Sequence, residues 1–117
     1  SPDNTLLVQT YLSKSGYQVD AVENGEIAVA KYKALYFDLV IMDIEMPMMD
    51  GYTATRLIRE WEKANRRQPV PIIALTAYAF EEDRLKSLAA GCTDHMTKPV
   101  RKKDLLDMLA HYLEGEK

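Results

Sequence analysis

The sequence predicts an α/β chain built as a doubly wound parallel sheet, and three observations carry that expectation. Two short runs, DLVIMD at 38–43 and IIALT at 72–76, are almost wholly apolar and bounded by acids, prolines or small polar residues, as strands covered on both faces are. Segments with apolar residues at helical spacing fall between and after these runs. Strands that alternate with helices imply crossover connections and parallel pairing. At 117 residues the chain has room for one core, so residues 1–117 are expected to form a single domain.

The elements follow in order. Ser1 can cap a helix with Pro2 in its first turn and Asp3 at the positive end of its dipole. Leu7, Val8, Tyr11 and Leu12 then share a face and Gly16 is a stop, which predicts a helix over about 2–15. Tyr17, Val19 and Ala21 alternate with polar residues and predict a half-buried strand. Asn24 and Gly25 turn the chain into a helix of about ten residues ending near Ala34. The 38–43 run predicts a central strand, and 44–50 reads as irregular.

Ala54, Leu57, Ile58 and Trp61 recur at i, i+3, i+4 and i+7, predicting an amphipathic helix to about Ala64. Pro69 and Pro71 precede the strand at 72–76. Leu85, Leu88 and Ala89, with Gly91 behind them, predict the next helix and its cap. A weak strand over 94–97 follows, and Leu105, Met108, Leu109 and Tyr112 mark a last helix.

Composition excludes several classes. The net charge is −3 and 47% of residues are hydrophobic, which fits a folded domain and neither a disordered tail nor a basic nucleic-acid binder. Arg66-Arg67 and Arg101-Lys102-Lys103 read as solvated faces, so no direct nucleic-acid partner is expected. One cysteine, Cys92, can make neither an internal disulfide nor a zinc site by itself. A reducing compartment follows, and the expected location is cytoplasmic. The N-terminal residues lack a signal-peptide plan and no apolar stretch is long enough to span, so no membrane partner is expected.

In open parallel sheets ligands bind beyond the carboxyl ends of the strands. Asp43 ends one run, Thr76 ends the next, and Lys98 follows the last, directly before Pro99. Taken singly, these read as a loop carboxylate, a satisfied hydroxyl and a solvated charge. Together, a carboxylate nucleophile, a hydroxyl donor and an ammonium are a set suited to capturing a phosphoryl group. The part still needed is a divalent cation.

The motifs DLVIMD at 38–43, MPMMDG at 46–51, IIALTA at 72–77 and TKP at 97–99 complete the pattern. With them the chain resembles the receiver, or phosphoacceptor, domain of two-component response regulators and hybrid histidine kinases, from Ser1 to about Leu113. The resemblance implies a flavodoxin-like receiver fold with strand order 2-1-3-4-5. It also implies that Asp43 is the phosphoacceptor, Thr76 the switch hydroxyl, Lys98 the phosphate-contacting lysine, and Lys98-Pro99 a cis peptide. Mg²⁺ would be the cofactor, held in part by Asp43 and the backbone carbonyl of Glu45. The switch aromatic of the family stands three residues before the lysine, where this chain has His95, an ionisable ring. Tyr78, two residues after Thr76, would sit near the phosphoryl group and slow the access of water.

The start of the chain departs from the family pattern. The first, central strand and the acidic pair that ends it have no counterpart here, and Asp3 is better read as a helix-dipole residue than as a replacement ligand. An N-terminally truncated domain is therefore expected, with weak or absent Mg²⁺ binding. Its exposed sheet edge invites rearrangement, a homo-oligomer or a strand from another chain. Residues omitted before Ser1 are a further explanation.

The expected function is phosphorelay signalling. Asp43 would accept a phosphoryl group from a histidine kinase or a histidine phosphotransfer domain, and the charge would switch a surface formed by residues 81–90, 94–97 and 104–113. The chain is not expected to be an enzyme, although its parent could be a hybrid histidine kinase. One alternative is a non-phosphorylated interaction module. A haloacid dehalogenase-type phosphatase is more remote, because Glu45 stands where that family needs a second Asp.

Overall fold

The computed structural model describes residues 2–115, with side chains described from Thr5 onward. The capping role expected of Ser1 and the dipole role expected of Asp3 lie outside the described residues.

Among the described residues eight elements follow in order: α1 (Pro2–Leu12), α2 (Gly25–Ala34), β1 (Val40–Asp43), α3 (Gly51–Ala64), β2 (Ile72–Thr76), α4 (Glu81–Ala90), β3 (Asp94–Thr97) and α5 (Lys102–Leu113). The three strands are parallel in the order β1-β2-β3, so β2 is central. Val40 pairs with Ile72, Asp43 with Leu75, and Thr76 with Thr97.

Every residue of β2 is buried, and successive side chains enter opposite faces of the sheet. Ile72 and Ala74 join a cluster with Val29 and Tyr32 of α2, Met42 of β1, and Ala54 and Ile58 of α3. Ile73 and Leu75 join a second cluster with Val8 and Leu12 of α1, Met96 of β3, and Leu105 and Leu109 of α5. Helices thus cover both faces, as the doubly wound expectation requires.

Capping side chains begin two helices: Asn24 Oδ1 accepts from the Ile27 N–H at 2.9 Å, and Asp50 Oδ1 from the Thr53 N–H at 2.8 Å. Gly91 ends α4 with φ of 111°, the left-handed conformation that suits glycine.

Three sequence expectations are corrected. The alternating segment expected as a strand over 17–21 is not one: residues 17–22 have no regular structure, and Val19 and Ala21 are exposed. A strand needs a neighbour to receive its N–H and C=O groups, and in the 2-1-3-4-5 order the second strand pairs only with the first. Among the described residues no strand stands beside 17–22.

The first helix ends at Leu12 rather than near residue 15. The hydroxyls of Ser13 and Ser15 donate to the carbonyls of Thr10 and Leu12 at 2.8 and 2.7 Å, and so compete for the acceptors that a continuing helix would use. The strand expected over 38–43 begins only at Val40, whose N–H donates to Pro71 O at 2.9 Å. Pro71 has no N–H to return, so the ladder cannot extend past it.

A buried carboxylate ties the helical layer to the sheet. Glu62, 2% exposed, accepts from Tyr32 Oη at 2.7 Å, the Val70 N–H at 2.8 Å and Arg59 Nη1 at 2.8 Å. Arg59 Nε also donates to Gly91 O at 2.9 Å, which links α3 to the end of α4. Burial, reinforced by the hydrogen bond to Glu62, pushes the Tyr32 phenol well above its ordinary range. Glu62→Ala would strand a buried N–H, a phenol and part of a guanidinium. Urea unfolding is expected to show a loss of about 3–5 kcal/mol.

Candidate functional site

Parallel pairing brings the carboxyl ends of β1, β2 and β3 to one edge of the sheet, and the chain places Asp43, Thr76 and Lys98 there. Lys98 Nζ lies 2.7 Å from Asp43 Oδ1, with both side chains largely sheltered. The Glu45 N–H donates to the same Asp43 oxygen at 3.0 Å. Backbone bonds hold both residues in place: the Ile44 N–H donates to Leu75 O at 2.9 Å, and the Lys98 N–H to Thr76 O at 2.8 Å. The Lys98-Pro99 peptide is cis, as the resemblance implied.

Gly51 explains the MPMMDG motif. Its N–H donates to Ile44 O at 3.1 Å, so the start of α3 is pressed against the end of β1. A Cβ at this position would stand 2.5 Å from Asp43 O and 2.8 Å from Ile44 Cα, inside contact distance of backbone that cannot yield. Between these points, Met48 takes φ of 70°, an uncommon conformation for a side-chain-bearing residue.

Thr76 is buried, and its Oγ1 accepts from the Tyr78 N–H at 3.2 Å. It reaches the site edge through its backbone bond to Lys98. Tyr78 is itself exposed, its ring stacked on Phe80 with centroids 6.5 Å apart. His95 is half-buried in β3 and paired with Ala74. Glu81, at the start of α4, has its carboxyl held below its usual range by the hydrogen bond from Arg84.

Sequence reasoning missed one participant. Glu45 was expected to contribute only its backbone carbonyl, yet its carboxylate enters the site: Oε1 accepts from the Ala77 N–H at 2.9 Å and lies 3.3 Å from Lys98 Nζ. Its position two residues after Asp43 was the available signal, because such a side chain can reach the same strand edge.

The resemblance implies Mg²⁺, a hard cation that takes an octahedral set of oxygens. Among the described residues, no three His, Cys, Asp or Glu side chains converge to hold a metal ion. Asp43 Oδ1 is engaged by Lys98 and the Glu45 N–H, and the Glu45 carboxylate by Ala77 and Lys98. The described residues alone do not fit the ion.

The comparisons with known proteins agree with this geometry. Residues 1–110 match the family model for the response regulator receiver domain. This chain is a receiver domain. It is 43% identical over 109 residues to the sensor protein GacS of Pseudomonas syringae pv. syringae, an alignment spanning 93% of the chain and 12% of that protein. Its fold matches the receiver domain of sensor histidine kinase PA1611 from Pseudomonas aeruginosa PAO1, solved with a magnesium ion in the active-site cleft. The TM-score is 0.85 at 38% identity, covering 97% of this chain and 91% of that one.

A third match is the co-crystal structure of the Saccharomyces cerevisiae histidine phosphotransfer protein Ypd1 with the receiver domain of Ssk1. It has a TM-score of 0.91 at 31% identity, covering 96% and 82% of the two chains. The receiver domain thus spans a small part of its curated relative. Among the described residues, no helix is long and apolar enough to cross a membrane.

Burial pushes the Asp43 carboxyl up, but the hydrogen bond from Lys98 is the largest influence pulling it down, and the net is below the usual carboxylate value. A group lowered in this way stabilises the fold above its unfolded pKa, and the stabilisation is lost as pH falls through the folded value. The stability difference between the chain and Asp43→Asn is therefore expected to be constant from neutrality down to about pH 5. Below the reference value of 3.8 it should shrink, as followed by urea midpoints against pH.

Proposed function

We propose that Asp43 accepts a phosphoryl group from a phosphohistidine of a histidine kinase or a histidine phosphotransfer domain. The observation that carries this reading is the 2.7 Å approach of Lys98 Nζ to Asp43 Oδ1 at the aligned strand ends of a receiver domain. The Asp43 carboxylate attacks phosphorus, the new O–P bond forms as the P–N bond breaks, and the imidazole nitrogen leaves with the bonding pair. Lys98 stays beside the incoming negative charge. The Thr76 hydroxyl then turns from its place beside the Tyr78 N–H toward a phosphoryl oxygen. His95 and the exposed Tyr78, Phe80, Leu85 and Leu88 border the face that responds.

The relatives named above support a hybrid histidine kinase as the parent protein and a phosphotransfer domain as partner; the reading carries with it a cytoplasmic setting. Mg²⁺ would supply charge neutralisation at the phosphoryl group, and its binding needs oxygen ligands beyond Asp43 and the Glu45 carbonyl. That shortfall among the described residues favours a second reading, an interaction module that is not phosphorylated.

Intact mass after incubation with acetyl phosphate and excess Mg²⁺ separates the two readings. A gain of one phosphoryl group, absent in Asp43→Asn and slowed about a hundredfold in Lys98→Ala, is the expected outcome. A folded chain that gains nothing would establish the second reading.

A further inference from the structure

The Ala77 N–H and the Lys98 ammonium converge on a single oxygen, Glu45 Oε1, at 2.9 and 3.3 Å. A backbone N–H and a cation aimed at one point form an anion-binding position. The same ammonium lies 2.7 Å from Asp43 Oδ1, so this position adjoins the oxygen on which a phosphoryl group would be built. Two carboxylates share one ammonium here, and a phosphoryl group on Asp43 would bring further negative charge to the same cation.

We propose that the Glu45 carboxylate is an internal occupant of the phosphoryl-anion position: it holds Ala77 N–H and Lys98 in the unphosphorylated chain and must withdraw when phosphoryl oxygens arrive. This rests on the phosphoacceptor reading for its biological meaning, although the anion position itself does not. The side chain is 39% exposed, so it has solvent to withdraw into. Glu45 is then a built-in competitor that raises the threshold for phosphorylation. It also keeps the 77–80 segment in its resting position through the Ala77 N–H. Removing its charge weakens both effects, while removing Lys98 takes away the cation for which they compete.

The test uses the full chain without metal and inorganic phosphate as the probe, titrated while the Ala77 amide resonance is followed by NMR. Glu45→Gln keeps an acceptor for the Ala77 N–H and loses the charge. It is expected to bind phosphate about tenfold more tightly than the unaltered chain, as is Glu45→Ala, a shift of about 1.4 kcal/mol. The gain should vanish in the double variant Glu45→Gln with Lys98→Gln.

Unchanged affinity in both Glu45 variants, or a gain that persists without Lys98, overturns the inference. Mass measurements on the same samples with a phosphodonor keep the two readings apart. Tighter phosphate binding without phosphorylation of Asp43 upholds the competitor and sinks the phosphoacceptor; phosphorylation with unchanged phosphate affinity does the reverse.

Discussion

The buried central strand, Ile72–Thr76, is the constraint on which the rest of the domain depends. Its alternate side chains feed two separate hydrophobic clusters, so a slip of one residue would exchange their contents and break both. A fixed register on each flank then decides where the neighbouring strands end. Asp43 falls beside Leu75, Thr97 beside Thr76, and Lys98 is the next residue after that pair. The edge that carries the candidate site is thus a product of core packing, while side chains at the edge refine the arrangement.

Electrostatics explains why the edge is poised. Asp43 and Lys98 are only 15% and 12% exposed, and in such a place a lone charge is costly while a matched pair is tolerated. The hydrogen bond from Lys98 helps hold the Asp43 carboxyl below its usual range and so favours the ionised form that the proposed phosphoacceptor role needs. Glu45 adds a second negative partner to the same Lys98 ammonium. An exchange of anions around one ammonium requires only that the more exposed carboxylate move.

Legibility in the sequence tracked how local each signal was. The two prolines and the apolar run delimit β2 within the sequence itself, and Gly91 and Asn24 act within one helical turn. Asp43, Thr76 and Lys98 were legible because strand ends are, and their motifs sit at those ends. The 17–21 segment misled because alternation describes one strand, whereas a ladder requires two. Ser13 and Ser15 shortened α1 through side-chain bonds that helical periodicity does not register. Glu62 reads as a surface charge on an amphipathic helix, and only three-dimensional packing brings Tyr32, Val70 and Arg59 around it. The part taken by the Glu45 side chain was missed for a similar reason, since its partners Ala77 and Lys98 come from other strands' ends.

The central claim is that packing of the sheet edge couples Asp43 to Lys98 before any phosphoryl group is present. A double-mutant cycle tests it most directly, with Asp43→Asn and Lys98→Gln measured singly and together by urea unfolding at neutral pH. The account predicts a favourable coupling of about 1–3 kcal/mol between the two side chains. Additive effects, with a coupling within about 0.3 kcal/mol of zero, would contradict it.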